Sequence, residues 1–412
     1  MLAPGTTLVL APDVSILARG PVLARGDPAH PIRLQPARAG APWGTLALQG
    51  PGASGSRFAH VEIEEGGGAR RGGVEYTGMV SLHHVRDVRF EHCLFARNLR
   101  SDDALHAVHS ELQILSSRFE QANTDAVDFD YSSGRIQGSS FHRSGNDAID
   151  LMSSSPWIEE NRIQGAGDKG VSVGEASAPV LLQNQIEACS IGIEVKDRSA
   201  PWLAWNELAH NGIDVAEKAK NWRYGGGGFG RWLAPRQAAA PSLRLDRRSR
   251  WLTWQGDAPP AWLAGRTLAE LRFEPKLGPA PVGWSSVQLP RGPILRDGDL
   301  VLRWGRQAAS ASRELGWSIP AGAHHVLLLE VAGSGLRQAT LAAQLDSDIR
   351  TVSLPTASPD RLYQLVELPL SAGRLERLVV TALPDTGPRV PELRIHSLRV
   401  VEMAGPKGGS TP

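Results

Sequence analysis

The sequence predicts an all-β chain in two parts, a right-handed parallel β-helix followed by an antiparallel β-sandwich of jelly-roll type. Three observations lead there. A 22-residue period runs through much of the first half, apolar residues alternate within each period, and from about residue 240 the period gives way to alternating segments separated by Pro, Gly and Asp.

The period is plainest from Asp103. DALHAVHSELQILSSRFEQANT aligns with DAVDFDYSSGRIQGSSFHRSGN from Asp125, DAIDLMSSSPWIEENRIQGAGD from Asp147 and KGVSVGEASAPVLLQNQIEACS from Lys169. IGIEVKDRSAPWLAWNELAH from Ile191 then reads as a shorter step before NGIDVAEK from Asn211. Leu105, Val127, Ile149, Val171, Ile193 and Ile213 form one apolar column, and Ala107, Phe129, Leu151, Val173 and Val195 a second, two residues on. Alternation with a period of two marks strands with one inward face. Two further columns are Phe90, Ile114, Ile136, Ile158, Val180, Leu203 and Phe95, Phe119, Phe141, Ile163, Ile186, Leu208. A polar column of Ser117, Ser139, Asn161, Asn184 and Asn206 lies between them, placed to hydrogen-bond along the stack. Neighbouring coils then bury one continuous core, and the crossover preference sets the right hand.

The expected boundaries are 1–235 for the β-helix, 236–405 for the sandwich, which resembles carbohydrate-binding modules in architecture, and 406–412 for a disordered tail. Composition narrows the function. Lys plus Arg is 44 and Asp plus Glu 43, so no global charge draws the chain to nucleic acid. No run of 18 apolar residues offers a membrane span, and the first residues lack the basic start of a signal peptide. Cys93 and Cys189 fall four coils apart, roughly 19 Å at the strand spacing, too far for a disulfide.

The outward positions carry the chemistry. One column reads His106, Asp128, Asp150, Ser172, Glu194, Asp214, the next Val108, Asp130, Met152, Gly174, Lys196, and the strand starts Asp103, Asp125, Asp147, Lys169. Stacked carboxylates ~4.8 Å apart repel by roughly 3.5 kcal/mol per pair at an effective dielectric of about 20. A bound cation, a retained proton or nearby bases would relieve this. Ca²⁺ suits clustered Asp, a raised Asp pKa suits general acid catalysis, and Lys169 and Lys196 are the bases at hand. Asp125 and Asp147 read equally as turn caps, whereas Asp128, Asp130 and Asp150 sit mid-strand, where Asp is disfavoured. Glu175 borders the same face, and Arg223 and Tyr224, beside Gly225–Gly228, read as a loop folding over it.

With TDAVDFD (124–130) stacked on NDAIDLM (146–152), residues 1–225 resemble the right-handed parallel β-helix superfamily of pectate-lyase-like polysaccharide lyases and mannuronan C5-epimerases. The resemblance implies Ca²⁺ held by Asp125, Asp128, Asp147 and Asp150, with Lys169 or Lys196 abstracting a proton. Asp130 joins these as a catalytic candidate, and His106, Glu175, Glu194, Arg223 and Tyr224 would bind substrate. It also implies an acidic, uronate-containing polysaccharide as partner and a periplasmic or secreted location. A C5-epimerase, an inverting hydrolase using a pair of Asp, and a non-catalytic glycan-binding solenoid remain alternatives.

Overall fold

The computed structural model describes residues 1–272, 284–287, 294–296, 299–303, 309–321, 324–346, 348–358, 362–385 and 391–403. The tail expected at 406–412 lies outside them. The chain divides into two compact units, Met1–Arg250 and Trp251–Pro412.

The first unit is a parallel β-solenoid. Three sheets run along it, each strand pairing in parallel with strands of the coils before and after. The sheet that matters for function contains Gly78–His83, Asp103–Val108, Asp125–Asp130, Ile149–Met152, Lys169–Gly174, Ile191–Lys196 and Ile213–Lys218. Alternation does what it predicts: Leu105, Val127, Ile149, Val171 and Ile193 are fully buried. In the adjoining column Phe95, Phe119 and Phe141 stack face to face, with ring centroids 4.5 and 4.8 Å apart.

The polar column is a hydrogen-bond ladder. Asn206 Oδ1 accepts from Asn184 N and Nδ2 at 3.0 and 2.9 Å, and Asn184 Oδ1 accepts from Asn161 N and Nδ2 at 3.1 and 2.9 Å. Asn184 Nδ2 also donates to Ile158 O. A second ladder, not anticipated, passes from Ser110 through Ser132, Ser154 and Ser177 to Ser199, each N–H donating to the next hydroxyl. Asn184→Ala leaves the N–H of Asn161 and the carbonyl of Ile158 buried without these partners. Urea unfolding should show a loss of about 3 kcal/mol; an unchanged midpoint would mean the ladder is dispensable.

Two registers differ from the sequence expectation. Ile158 pairs with Leu181, not Val180. The coil gains a residue at Glu175–Ala176, two successive residues with positive φ (52° and 63°), which loop the excess out of the sheet. The last coil is not short: Ile191 pairs with Ile213, Ile193 with Val215 and Glu194 with Ala216, so Asp214 leaves the outward column. A slip of two residues preserves the in–out alternation, so the apolar pattern alone could not separate the registers. The true register turns Glu217 into the core column after Val195. There it is 1 % exposed, its Oε1 accepts from Gly230 N at 2.7 Å, and burial raises its pKa well above the ordinary range. Both cysteines are free and buried.

The second unit is mainly antiparallel, with Trp251–Thr253 pairing in parallel with Leu362–Gln364. His325–Ser334 pairs with Leu362–Leu370 and Glu392–Glu402, and the latter also with Asp299–Arg303. A second sheet places Gly373–Pro384 between Ala309–Ile319 and Leu336–Leu345. Leu300, Leu327, Leu329 and Leu398 from one sheet meet Leu341, Leu378 and Val380 from the other in one apolar core, making a two-sheet sandwich.

Candidate functional site

Outward side chains of the functional sheet form continuous columns because consecutive coils pair without offset. His106 pairs with Asp128, Asp128 with Asp150, Asp150 with Ser172 and Ser172 with Glu194. Alongside run Val108, Asp130, Met152 and Gly174.

The strand-start aspartates are tied to the backbone of the next coil. Asp125 Oδ1 accepts from Asp147 N at 2.7 Å and Asn146 Nδ2 at 2.8 Å. Asp147 Oδ1 accepts from Lys169 N at 3.0 Å and faces Lys169 Nζ at 3.6 Å. Each therefore commits one carboxylate oxygen to the turn, as a cap does. Burial raises both pKa values, that of Asp147 to about 7, with Lys169 working against the rise.

His106 stands at the centre of the next group. Its Nδ1 lies 2.6 Å from Thr77 Oγ1, which donates to Asp103 Oδ2 at 2.8 Å. Its Nε2 lies 3.4 Å from Asp130 Oδ2 and 3.7 Å from Asp128 Oδ2. Asp103, His106 and Asp128 each bring a ligand atom to within 4.8 Å of the others. Asp103 and His106 are buried, at 2 % and 8 % exposure, so imidazole and carboxylate orientations are fixed. Burial, and then mutual repulsion with Asp103, Asp130, Asp150 and Asp125, drives the Asp128 pKa strongly upward. Asp103 is raised for the same first reason, with His106 and Thr77 opposing. Sequence reasoning placed Asp103 in the right column without giving it a role. It missed Thr77, which no periodic signal marks.

The two candidate bases differ. Lys169 Nζ is bonded to Asp168, and burial, which alone would lower its pKa, is outweighed by Asp168, Asp147 and Glu194, so it rises. Lys196 Nζ donates to Ser172 Oγ at 2.9 Å and lies 3.9 Å from Asp150 Oδ1. Its stem crosses Gly174, where an added Cβ would fall 2.3 Å from Lys196 Cε. Glycine at this position is therefore what lets the ammonium reach the acidic column.

Glu194 continues the outward column, and Glu175 and Tyr224 lie in electrostatic reach of one another. Glu194 is 1 % exposed, with Lys218 Nζ 2.7 Å from its Oε1. Glu175 is partly buried, which raises its pKa against the pull of Lys196. Arg223 and Tyr224 lie in a single 3₁₀ turn whose first N–H groups Asn221 caps, accepting from Arg223 N at 3.1 Å. Tyr224 is in electrostatic reach of Glu175 and Tyr131.

Residues 55–228 match the family described as the right handed beta helix region. No curated protein matches the chain. Similar solved structures include an alginate lyase from Paenibacillus sp., at 14 % identity over 63 % of this chain and 90 % of that one, TM-score 0.34. The enzymatically active domain of bacteriophage CBA120 tailspike protein 4 is similar at 10 % identity over 97 % of this chain and 64 % of that one, TM-score 0.31. A carbohydrate binding module of Cellvibrio mixtus lichenase 5A matches 34 % of this chain and all (100 %) of its own length, at 12 % identity and TM-score 0.23.

Proposed function

We propose, for a chain whose first unit belongs to the right-handed parallel β-helix superfamily, a carbohydrate-active function: β-elimination on an acidic, uronate-containing polysaccharide. The observation that carries it is the meeting of a carboxylate column with an anchored ammonium, Asp128 and Asp150 on adjacent strands with Lys196 Nζ 3.9 Å from Asp150. Lys196 Nζ, bonded to the Ser172 hydroxyl with Asp150 3.9 Å away and Glu175 further off, has hydrogens left to offer a substrate. Lys169, ion-paired twice, has less freedom. In this reading Lys196 takes the C5 proton α to the uronate carboxylate, and the C4=C5 double bond forms as the C4–O glycosidic bond breaks. The departing sugar oxygen takes a proton from the Lys196 ammonium or water, and Asp130 and His106 hold substrate hydroxyls.

The donor set fits a hard divalent cation. Among the described residues the one set with ligand atoms close enough to hold a cation is Asp103, His106 and Asp128; in this reading Asp150 and the uncommitted oxygens of Asp125 and Asp147 would complete the ligand set. Oxygen-rich coordination favours Ca²⁺ over softer metals. When bound, the ion supplies charge neutralisation of the uronate carboxylate, which acidifies the neighbouring C–H. Such a substrate lies outside the cytoplasm, which fits a periplasmic or secreted protein.

Hydrolysis is the second reading, favoured by the raised Asp128 pKa: a carboxyl group that keeps its proton can act as a general acid. The two readings separate on metal dependence. Pectate, alginate and glycosaminoglycans should be tested for an unsaturated, ultraviolet-absorbing product. Chelation should stop its release, and added Ca²⁺ should restore it and raise the melting temperature, by roughly 2–4 °C per kcal/mol of linkage. Chelator-resistant release of reducing ends without unsaturation would replace elimination by hydrolysis. Neither product from any polymer would end the enzymatic reading.

A further inference from the structure

One turn column beside the acidic strip carries stacked rings. His84, His109, Tyr131, Ser153, Glu175 and Asp197 follow the strands at equivalent positions, all with left-handed φ between 48° and 56°. Each of the first three donates its N–H to a carbonyl of the next coil: His84 to Val108, His109 to Asp130, Tyr131 to Met152. Their rings stack, His84 on His109 at 5.0 Å and His109 on Tyr131 at 4.8 Å, with interplanar angles of 13° and 15°.

This ladder is exposed, so it adds nothing to the core. Left-handed φ recurs at the turns of the coils whether or not they carry rings, and in this column three consecutive coils place rings in register. The ring series stops abruptly. Tyr131, 50 % exposed, is followed one coil on by Ser153, whose hydroxyl is turned aside to donate to Glu175 O at 2.8 Å. Two coils on stands Glu175, roughly 10 Å away at the strand spacing.

We propose that Tyr131, Ser153 and Glu175 form a slot for one pyranose ring of a glycan, which stacks on Tyr131 as the next ring of the ladder. This rests on the carbohydrate reading above and gives it a subsite. The face of Tyr131 turned away from His109 is electron-rich and attracts the weakly positive C–H face of a sugar. The rim is polar: the carboxylates of Asp130, next in the chain, and of Glu175 accept from sugar hydroxyls. A flat apolar face with acceptors at its edge fits a pyranose better than a purely apolar ligand. One coil spacing matches the thickness of one stacked ring, and Ser153 places no ring there; Tyr224 is in electrostatic reach of both Tyr131 and Glu175.

The test is calorimetric titration of the full chain with hexamers of galacturonate, mannuronate and β-1,4-linked glucose. At least one should bind. Tyr131→Ala should weaken it about tenfold, and Tyr131→Phe, which keeps the ring, by no more than about threefold. Ser153→Tyr, which extends the ladder into the slot, should abolish binding without lowering the melting temperature. No binding of any hexamer to the wild type, or unchanged binding in Tyr131→Ala or Ser153→Tyr, overturns the slot. Unsaturated product from a protein whose variants bind normally sinks the slot and leaves elimination standing. Ring-dependent binding without product does the reverse.

Discussion

Lys196→Ala should reduce turnover of a uronate polymer by about 10²–10⁴-fold, the usual worth of a positioned acid–base group. Lys169→Ala should cost far less in kcat, because that ammonium is held by Asp168 and Asp147 at a strand start. Lys196 is also a packed side chain, 4 % exposed. Lys196→Met therefore separates chemistry from packing: it keeps the stem over Gly174, and its melting temperature should stay near that of the wild type while activity is lost. Full activity in Lys196→Met, or loss confined to Lys169→Ala, would move the base to Lys169.

Asp128→Asn should stabilise the cation-free protein by about 1–2 kcal/mol at neutral pH while abolishing activity, a trade common where function requires strained groups. The sign follows from the direction of the shift. Asp128 has a folded pKa raised above its unfolded value of 3.8. Its contribution to stability is thus fully present below that unfolded value and declines as pH rises toward the folded pKa. Asparagine mimics the neutral form at every pH, so the gain over wild type should be near zero in acid and grow as pH rises. Ca²⁺ should narrow the difference by stabilising only the wild type. Chemical unfolding across pH, with and without Ca²⁺, measures both effects. A less stable Asp128→Asn protein at neutral pH would show that the carboxylate is already compensated by His106.

Much of the site could be read from residue order, because a solenoid converts sequence period into spatial adjacency. Asp128 and Asp150 are 22 residues apart in the chain and neighbours in the sheet. The same logic placed Lys196 on the acidic strip. It also separated the strand-start aspartates from the mid-strand ones. The turn-cap reading of Asp125 and the mid-strand reading of Asp150 both match the structure: one accepts from the next coil's backbone and the other stands on the strand near Lys196. It gave His106 only a substrate-binding place, although Thr77 and Asp103 fix its ring and make it the hub of the group.

The sequence by itself determined the coil, its inward columns and the face on which charge collects, since those depend only on alternation and period. Tertiary structure alone decided which register the last coil takes, and hence that Glu217 is buried. It also decided which carboxylates are spent on backbone N–H groups, that Lys169 is ion-paired to Asp168 and Asp147 while Lys196 bonds to Ser172, and that the rings of His84, His109 and Tyr131 stack. The reason is physical. Alternation is unchanged by a two-residue slip, and the direction of a side chain within a column depends on hydrogen bonds from neighbouring coils, which no single repeat contains.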